Sequence, residues 1–279
     1  MQTEIAQQMT NQVNNMSESY LSVCEDAARS AGKILRDMLG TTHFRHKKNP
    51  SDLVTEADIA AQKAIESIVL GAFPDHRFLG EEGNLTSSSP HGTSEFCWIV
   101  DPLDGTTNFV HGVPCFGTSI ALAHGTDVLC GVFYNPLTEE FFSAAQGQGA
   151  FLNGERIHTG NWQTLGESLV SVSFPTEIHD DSPDLIAFMK TVTLCQSFRR
   201  TGSTALNMAY VAAGRFDATW AFMCHAWDIA AGIVLVKEAG GVVTKPDGTP
   251  IDFGTPAPVC AVANEALHKK LMRVLNPEG

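Results

Sequence analysis

Two aspartates three residues apart, Asp101 and Asp104, stand directly after an apolar run that ends at Val100. Pro102 cannot donate to a sheet ladder, so we expect the strand to end there, and the Gly-Thr-Thr sequence after Asp104 is typical of a helix start with free backbone N–H groups. Two carboxylates this close repel each other unless a cation lies between them, whereas exposed helix-start amides favour an anion. The stretch therefore predicts a site that binds both a metal ion and a phosphate group.

Further carboxylates stand at the boundaries of other predicted elements. Glu81 and Glu82 follow a short predicted strand and lie between two glycines, and Asp228 stands at the predicted start of a helix. Adjacent side chains on an extended chain point in opposite directions, so we expect only one of the two glutamates to face a given site. Mg²⁺ prefers oxygen ligands, usually one or two carboxylates with water and substrate phosphate. Each acid alone is more typical of a solvated helix cap, and it is the run over 101–107 that favours a metal site.

Other phosphate and hydrolase chemistries lack their signatures. The sequence contains no Gly-x-x-x-x-Gly-Lys-Ser/Thr loop and no Gly-x-Ser-x-Gly, His-Glu-x-x-His or Gly-x-Gly-x-x-Gly motif. A phosphatase with an aspartate nucleophile would need its acids two residues apart, so a metal-activated water is preferred over a covalent intermediate. His111 and His225 are the remaining candidates for acid–base work, although a lone histidine is more often structural.

Composition limits the partners and the location. The 279-residue chain has a formal net charge of -13, which argues against a nucleic-acid or anionic-membrane surface and means that binding a phosphate ester requires a metal ion. Seven scattered cysteines without a Cys-x-x-Cys pair indicate reduced thiols. The sequence shows no signal peptide and no apolar run of ~18 residues. We therefore expect a cytoplasmic protein that acts on a small-molecule phosphate ester.

The elements that must position these residues fall into two halves. Residues 1–16 are rich in Gln and Asn and form either a flexible leader or an extension of the first helix, to which we assign no function. Residues 17–150 contain an amphipathic helix over 17–39, a second helix that ends near Gly71 and an antiparallel β meander. Residues 151–279 alternate between strands and helices. The sequence thus predicts an α/β (α+β) protein whose halves form one catalytic unit.

Several segments together resemble the inositol monophosphatase family of Mg²⁺-dependent phosphatases. They are residues 80–83 (Gly-Glu-Glu-Gly), 101–109 (Asp-Pro-Leu-Asp-Gly-Thr-Thr-Asn-Phe), 227–232 (Trp-Asp-Ile-Ala-Ala-Gly) with 238–241 (Glu-Ala-Gly-Gly), and the Asp-Leu-Val-Thr-x-x-Asp run over 52–58. The likeness extends from about residue 18 to 275, and the two longer motifs are highly specific. It implies a layered αβαβα sugar-phosphatase-type fold, a homodimer, inhibition by lithium, and a site at the junction of the halves with two or three Mg²⁺ ions.

The resemblance assigns the metal ligands residue by residue. Glu81, Asp101 and the Leu103 carbonyl would hold the first metal ion. Asp101, Asp104 and Asp228 would hold the second, which stabilises the leaving alkoxide. The acids at the element boundaries would then all belong to one metal site.

The resemblance also assigns the groups that handle phosphate and water. The backbone amides of Gly105, Thr106 and Thr107 would bind the phosphate. Thr106 and Glu81 would orient and deprotonate the water that attacks phosphorus in line. Supporting residues would be Lys47, Asp58 and Glu82, with Asp58 linked to Thr106 or to a third, weaker metal ion.

The predicted substrate pocket is where the chain departs from the family. Members that prefer myo-inositol 1-phosphate carry a glutamate seven residues before the Trp-Asp aspartate, and this chain has Ala221 there. Loss of a buried hydrogen bond to a substrate hydroxyl changes discrimination between substrates strongly. The remaining residues implied to contact substrate are Asp104, Gly202, Ser203, Thr204 and Asp228, with Thr204 where the family often has alanine.

Three functions follow from these observations. The leading one is a Mg²⁺-dependent phosphomonoesterase for inositol monophosphate or a related sugar or polyol phosphate. The second is a fructose-1,6-bisphosphatase or a nucleotide 2'- or 3'-phosphatase of the same superfamily, which the loss of the glutamate at Ala221 motivates. The third is a dimeric scaffold in RNA-processing or transcription complexes, which some bacterial relatives provide.

Overall fold

The computed structural model describes residues 2–41, 44–46, 53–83 and 94–276, with side chains over 19–41, 53–83 and 94–276. Lys47, one of the predicted supporting residues, lies outside them. In chain order the described elements are α1 (Gln2–Met38), β1 (Phe44–His46), β2 (Leu53–Thr55), α2 (Glu56–Ala72), β3 (Arg77–Gly80), β4 (Phe96–Asp104), α3 (Thr106–His111), β5 (Gly117–His124), β6 (Asp127–Asn135), β7 (Glu140–Ala145), β8 (Gly149–Leu152), β9 (Glu155–Ile157), β10 (Leu169–Val172), α4 (Pro183–Thr191), β11 (Ser197–Arg199), α5 (Thr204–Ala212), β12 (Ala218–Ala221), α6 (Ala226–Glu238), β13 (Val242–Thr244), β14 (Val259–Val262) and α7 (Glu265–Leu275).

The first large sheet carries the candidate site at one of its strands. Its seven strands follow the order β3-β4-β5-β6-β7-β8-β9, and all pairs are antiparallel except the parallel pair β3–β4. Because β3 and β4 run in the same direction, their carboxyl ends meet at one edge of the sheet, where Glu81 follows β3 and Asp101 lies in the last part of β4. The predicted boundary near residue 150 falls inside β8, and the division into halves stays a prediction.

The helices and sheets stack in five layers. α1 and α2 cover one face of the first sheet, where Cys24, Ala31 and Leu35 of α1 are completely buried. α5 and α6 lie between the first sheet and a second sheet of order β11-β10-β12-β14-β13. α4 and α7 pack on the outer face of the second sheet, around Trp220 and Leu271. The arrangement is the αβαβα layering that the family resemblance implied.

Two element boundaries differ from the predicted ones. β4 continues past Pro102 to Asp104, because a bulge places Pro102 and Leu103 opposite Thr118 alone, between the pairs Asp101–Ser119 and Asp104–Gly117. The strand therefore tolerates a residue without an N–H. α6 begins at Ala226, so that Asp228 lies within its first turn. No helix in the described ranges is both long and apolar enough to cross a membrane.

Close contact between β6 and α6 predicts a strong effect of Gly131→Ala. An added Cβ at Gly131 would lie 2.9 Å from Ala231 Cα of α6, a backbone atom that cannot move alone. We expect the substitution to lower the free energy of unfolding by about 1–3 kcal/mol in urea titrations, as overpacking does. The matched control is Gly71→Ala near the end of α2, where an added Cβ meets nothing within 4 Å. This variant should be unchanged or gain up to about 1 kcal/mol, and an equal loss in both would contradict the packing argument.

Candidate active site

The irregular end of β4 brings two buried carboxylates and a carbonyl to one place. Asp101 and Asp104 are 2% and 8% exposed. The Leu103 N–H donates to Asp101 Oδ1 at 3.0 Å, and Thr118 Oγ1 donates to the Pro102 carbonyl at 3.0 Å. The bulge thus has its own hydrogen bonds, and it fixes the direction of the acidic side chains on either side of it.

A glycine with positive φ connects this strand to α3. Gly105 has φ 88°, and an added Cβ would lie 2.7 Å from the Cys115 carbonyl, so the turn requires glycine in both conformation and space. α3 begins at Thr106. The backbone amides of Gly105, Thr106 and Thr107, which the resemblance implies as phosphate contacts, therefore lie where the strand changes to a helix.

The electrostatics of Asp101 show which acids lie near it. Burial raises the pKa of its carboxyl well above the ordinary range, and the charges of Glu81, then Asp104, then Asp228 and Asp58 raise this pKa further. All of the largest influences act in the same direction, as expected for carboxylates that are crowded together in a buried site. The structure therefore brings together the acids that the sequence placed at four separate element boundaries.

Asp104 is anchored to the second half of the chain. Its Oδ2 accepts hydrogen bonds from Ser203 Oγ at 2.5 Å and from the Ala205 N–H at 2.8 Å, at the start of α5. Burial raises the pKa of Asp104 to about 6, against the lowering effect of these hydrogen bonds. Ser203, predicted to contact substrate, is thus buried and engaged with Asp104, while its hydroxyl also accepts from the Leu206 N–H.

Asp58 caps α2 and also reaches the site. Its Oδ2 accepts from the Thr55 N–H at 2.8 Å and from Thr55 Oγ1 at 2.5 Å, which forms a capping box. Its Oδ1 accepts from Thr106 Oγ1 at 3.2 Å, and the same hydroxyl lies 3.1 Å from the Leu103 carbonyl. Burial raises the pKa of Asp58 to about 7. The supporting role that the resemblance implies for Asp58, with its link to Thr106, is therefore compatible with its position, and the same carboxylate also caps α2.

Glu81 and Glu82 stand in different surroundings just after β3. Glu81 is half-buried and donates its N–H to the Val100 carbonyl at 3.1 Å, while Glu82 is 2% exposed and donates its N–H to Gln62 Oε1 at 2.9 Å. The charge of Glu81 raises the pKa of Asp101, Asp104 and Asp58, whereas the charge of Glu82 is a named cause only at Asp58, where it follows Glu81. This difference agrees with the expectation that one glutamate of the pair faces the acids.

Asp228 reaches the site from the first turn of α6. Its carboxylate accepts from the His225 N–H at 2.6 Å, and Ser119 Oγ of β5 donates to the neighbouring Trp227 carbonyl at 3.4 Å. The second contact ties the start of α6 to the strand that pairs with β4. His225, a candidate for acid–base work, stacks on Trp227 with ring centroids 4.6 Å apart.

The donor set suits a hard divalent cation. Among the described residues, no three His, Cys, Asp or Glu side chains are already gathered in a metal-binding arrangement. Nevertheless, the site contains four acids whose side chains offer only oxygen atoms as ligands: Glu81, Asp101, Asp104 and Asp228. The charges of the other three raise the pKa of Asp101. Oxygen-rich, strongly acidic sets of this kind match Mg²⁺ rather than softer metals. The residues therefore fit the metal that the resemblance implies.

A cleft of about 620 Å³ opens next to these acids. The residues that line it include Asp104, Thr107, Asn108, His111, Ser173, Phe174, Arg200, Thr201, Gly202 and Thr204. Ala221 does not line the cleft; it is 3% exposed at the end of β12 and packs in the core. Of the residues predicted to contact substrate, the cleft therefore gathers Asp104, Gly202 and Thr204.

Asn108 is a positioning residue to which sequence reasoning gave no role. Its Nδ2 donates to the Cys115 carbonyl at 2.6 Å and to the Thr201 carbonyl at 2.8 Å, which ties α3 to the segment before α5. At Gly202, with φ +84°, an added Cβ would lie 3.0 Å from the same amide. The position of Asn108 inside the 101–109 motif indicated that it lies near the site. Its partner Thr201 is too distant in the sequence to be identified from the motif.

Comparison with known proteins places the chain among related sequences and folds. A sequence model described as the inositol monophosphatase family matches residues 16–278. The chain is 39% identical to Nus factor SuhB of Pseudomonas aeruginosa, covering 83% of this chain and 87% of that protein. It is 38% identical to inositol monophosphatase 3 of Solanum lycopersicum, covering 94% and 98%.

Solved structures agree with these matches. The extragenic suppressor protein suhB of Bartonella henselae has a TM-score of 0.85 at 37% identity, covering 94% of this chain and all of that one (100%). The inositol monophosphatase of Anabaena has a TM-score of 0.80 at 35% identity, covering 92% and 95%. The predicted fold class is therefore confirmed.

Proposed function

Since the chain belongs to the inositol monophosphatase family and is accordingly a phosphoric monoester hydrolase, we propose that it hydrolyses inositol monophosphate or a related sugar or polyol phosphate with the help of Mg²⁺. The observation that carries the proposal is the buried group of acids around Asp101, next to the Gly105 turn and a cleft of about 620 Å³. Such a group needs cations to stay ionised, and the cleft has room for a ring-sized leaving group.

In this proposal the acids hold two Mg²⁺ ions, with a third, weaker ion as an option near Asp58. Glu81, Asp101 and the Leu103 carbonyl would hold one ion, and Asp101, Asp104 and Asp228 the other. When bound, such ions lower the pKa of a water molecule and offset the charge of the phosphate and the leaving oxygen. Ser203 and Ala205 would keep Asp104 in place, because their hydrogen bonds leave Oδ2 little freedom to move.

The chain's own groups would bind the phosphate and direct the attack. The amides of Gly105, Thr106 and Thr107 would donate to phosphate oxygens at the start of α3. Thr106 Oγ1, which lies between Asp58 Oδ1 and the Leu103 carbonyl, would align the attacking water in line with the scissile bond. Glu81 would accept the proton from that water.

Hydroxyl groups in the cleft wall would meet the leaving group. Thr204 Oγ1 donates to Ser173 Oγ at 3.0 Å, and Asn207 Nδ2 donates to the same oxygen at 3.2 Å. The hydroxyl groups of Thr204 and Ser173 offer both hydrogen-bond donors and acceptors to a polyol. Because position 221 is a buried alanine, recognition of the leaving group would depend on this wall rather than on a carboxylate at the end of β12.

Phosphate release from purified protein tests the proposal. We expect hydrolysis of inositol 1-phosphate or another polyol phosphate with Mg²⁺, and loss of activity when a chelator removes the metal. Asp101→Asn protein purified in the same way is the control for contaminating phosphatases. Turnover that persists in chelator would overturn the metal-dependent mechanism, and no release from any phosphate ester would overturn the function.

Assembly and location belong to the same proposal. We propose a cytoplasmic homodimer.

Relatives from Pseudomonas aeruginosa and Pasteurella multocida carry the name Nus factor SuhB, which favours a second candidate function as a dimeric scaffold in RNA-processing or transcription complexes. Complementation of a deletion strain by an inactive variant would support this second function, since a scaffold does not require turnover.

A further inference from the structure

We propose that Arg200 selects substrates whose leaving group carries a second anionic group, a phosphate or a carboxylate. This inference rests on the proposed phosphatase function and narrows its substrate class. Arg200 lines the same cleft as Asp104 and Thr107, which stand at the reacting end, yet it belongs to the separate segment between β11 and α5. Sequence reasoning gave this residue no role.

The guanidinium of Arg200 is exposed and held over an aromatic ring. Its central carbon lies 5.3 Å from the centroid of Phe174, which also lines the cleft. Phe174 in turn packs edge-on against Phe188 of α4, with ring centroids 6.0 Å apart. Stacking of this kind reduces the freedom of the arginine side chain while leaving its N–H groups available to a ligand.

Arg200 lacks an internal counter-ion in the part of the chain that the structure describes. None of the ion pairs there includes it, although Arg36 pairs with Glu139 and Arg215 with Glu140. The protein has a formal net charge of -13, so most of its charged groups would repel an anionic ligand. An arginine without an ion-pair partner among the described residues, inside a ligand-sized cleft, would instead attract an anionic group of the ligand. A planar fork of donors matches the paired oxygens of phosphate and carboxylate.

The segment that carries Arg200 is fixed relative to the phosphate-binding turn. Asn108, two residues after Thr106, donates to the carbonyl of Thr201, the residue next to Arg200, at 2.8 Å. Thr201 Oγ1 also donates to Asn207 Oδ1 at 2.7 Å, which ties the segment to α5. The cleft therefore holds an acidic end at Asp104 and a basic wall at Arg200 on a rigid support. A substrate that spans the cleft would place its reacting phosphate at the first and another anion at the second.

Matched substrate pairs test this inference with purified full-length protein and Mg²⁺. One pair is fructose 1-phosphate and fructose 1,6-bisphosphate, which differ by a second phosphate. The other is glycerol 2-phosphate and 2-phosphoglycerate, which differ by a carboxylate. The variants are Arg200→Gln, Arg200→Lys, and Arg199→Gln as the control. Arg199 is a neighbouring exposed arginine that instead donates to Ser197 Oγ and to the Phe198 carbonyl, both at 2.8 Å.

We expect Arg200→Gln to raise KM for the doubly anionic member of at least one pair by about 10-fold or more, the usual effect of losing a hydrogen bond to a charged group. The kcat for that substrate should change by less than about 2-fold, and so should KM and kcat for the singly anionic member. Arg200→Lys should restore part of the lost affinity for the doubly anionic member. The pair that responds identifies phosphate or carboxylate as the second group.

Three results would overturn the inference. The first is an equal loss of activity toward both members of each pair, which would mean that Arg200 binds the reacting phosphate or supports assembly. The second is no loss of activity toward any substrate in Arg200→Gln. The third is the same loss in Arg199→Gln as in Arg200→Gln. Light scattering of each variant shows whether its oligomeric state matches that of the wild type, and so distinguishes a loss of assembly from a loss of phosphate binding. Failure of the proposed function is distinct, because wild-type protein would then release phosphate from no substrate.

Discussion

An Asp101→Asn variant is expected to lose phosphatase activity by at least about 100-fold in kcat/KM while becoming more stable than the wild type in metal-free buffer. The activity loss follows if Asp101 contributes to both metal positions, since even supporting residues of metal sites cost 10–100-fold when removed. The stability gain follows because burial and the charges of Glu81, Asp104 and Asp228 disfavour the ionised form of Asp101 in the folded protein and so raise its pKa. Asparagine keeps the shape and the acceptor for the Leu103 N–H but removes the repulsive charge.

Asp217→Asn is the matched control for this experiment. Asp217 is also a buried aspartate, 4% exposed, with a pKa raised by burial, and its Oδ2 accepts from the Leu169 N–H at 2.9 Å. It lies just before β12 and away from the acidic group, so its variant should keep near-normal activity. Steady-state kinetics and thermal unfolding in chelator measure both effects. Near-normal activity of Asp101→Asn, or an unfolding temperature below that of the wild type without metal, would contradict the assignment of Asp101.

The sequence was informative about the acids because each stands where a predicted element begins or ends. Glu81 after β3, Asp101 and Asp104 at the end of β4, and Asp228 in the first turn of α6 were all placed by local signals: apolar runs, proline and glycine. Parallel pairing of β3 with β4 then brings two of these boundaries to one sheet edge. Local patterns thus predicted the membership of the acidic group, although its precise geometry required the bulge in β4.

The wall of the cleft was beyond such reasoning. Arg200 is one exposed base among many in the sequence, and its relation to the site depends on the Asn108–Thr201 hydrogen bond, whose partners are 93 residues apart. Likewise, the burial of Ala221 in the core follows from the packing of β12 against α5, not from its neighbours in sequence. In the proposed site, specificity would depend on contacts between distant segments, and periodicity and spacing carry no information about such contacts.

Stability in the absence of metal is expected to fall as the pH rises from 5 to 8. In the folded protein the pKa of Asp58 is raised to about 7, that of Asp104 to about 6, and that of Asp101 well above its ordinary range. An unfolded aspartate titrates near about 3.9, so these groups hold protons in the folded state that they release on unfolding. For Asp58 and Asp104 this stabilising contribution is complete below about pH 4 and is lost as the pH passes through about 6 to 7.

Mg²⁺ should therefore stabilise the protein more at pH 8 than at pH 5, because at the higher pH it meets ionised acids and offsets their repulsion. We expect the difference in unfolding temperature between Mg²⁺ and chelator to be at least about 5 °C larger at pH 8, equivalent to about 2 kcal/mol for a chain of this size. Comparing the two conditions at each pH cancels the titration of groups remote from the site. In Asp101→Asn the pH dependence of this difference should shrink, because one of the repelling charges is gone. A difference that is the same at both pH values, or larger at pH 5, would mean that these carboxylates do not hold the metal, and that the raised pKa values reflect burial alone.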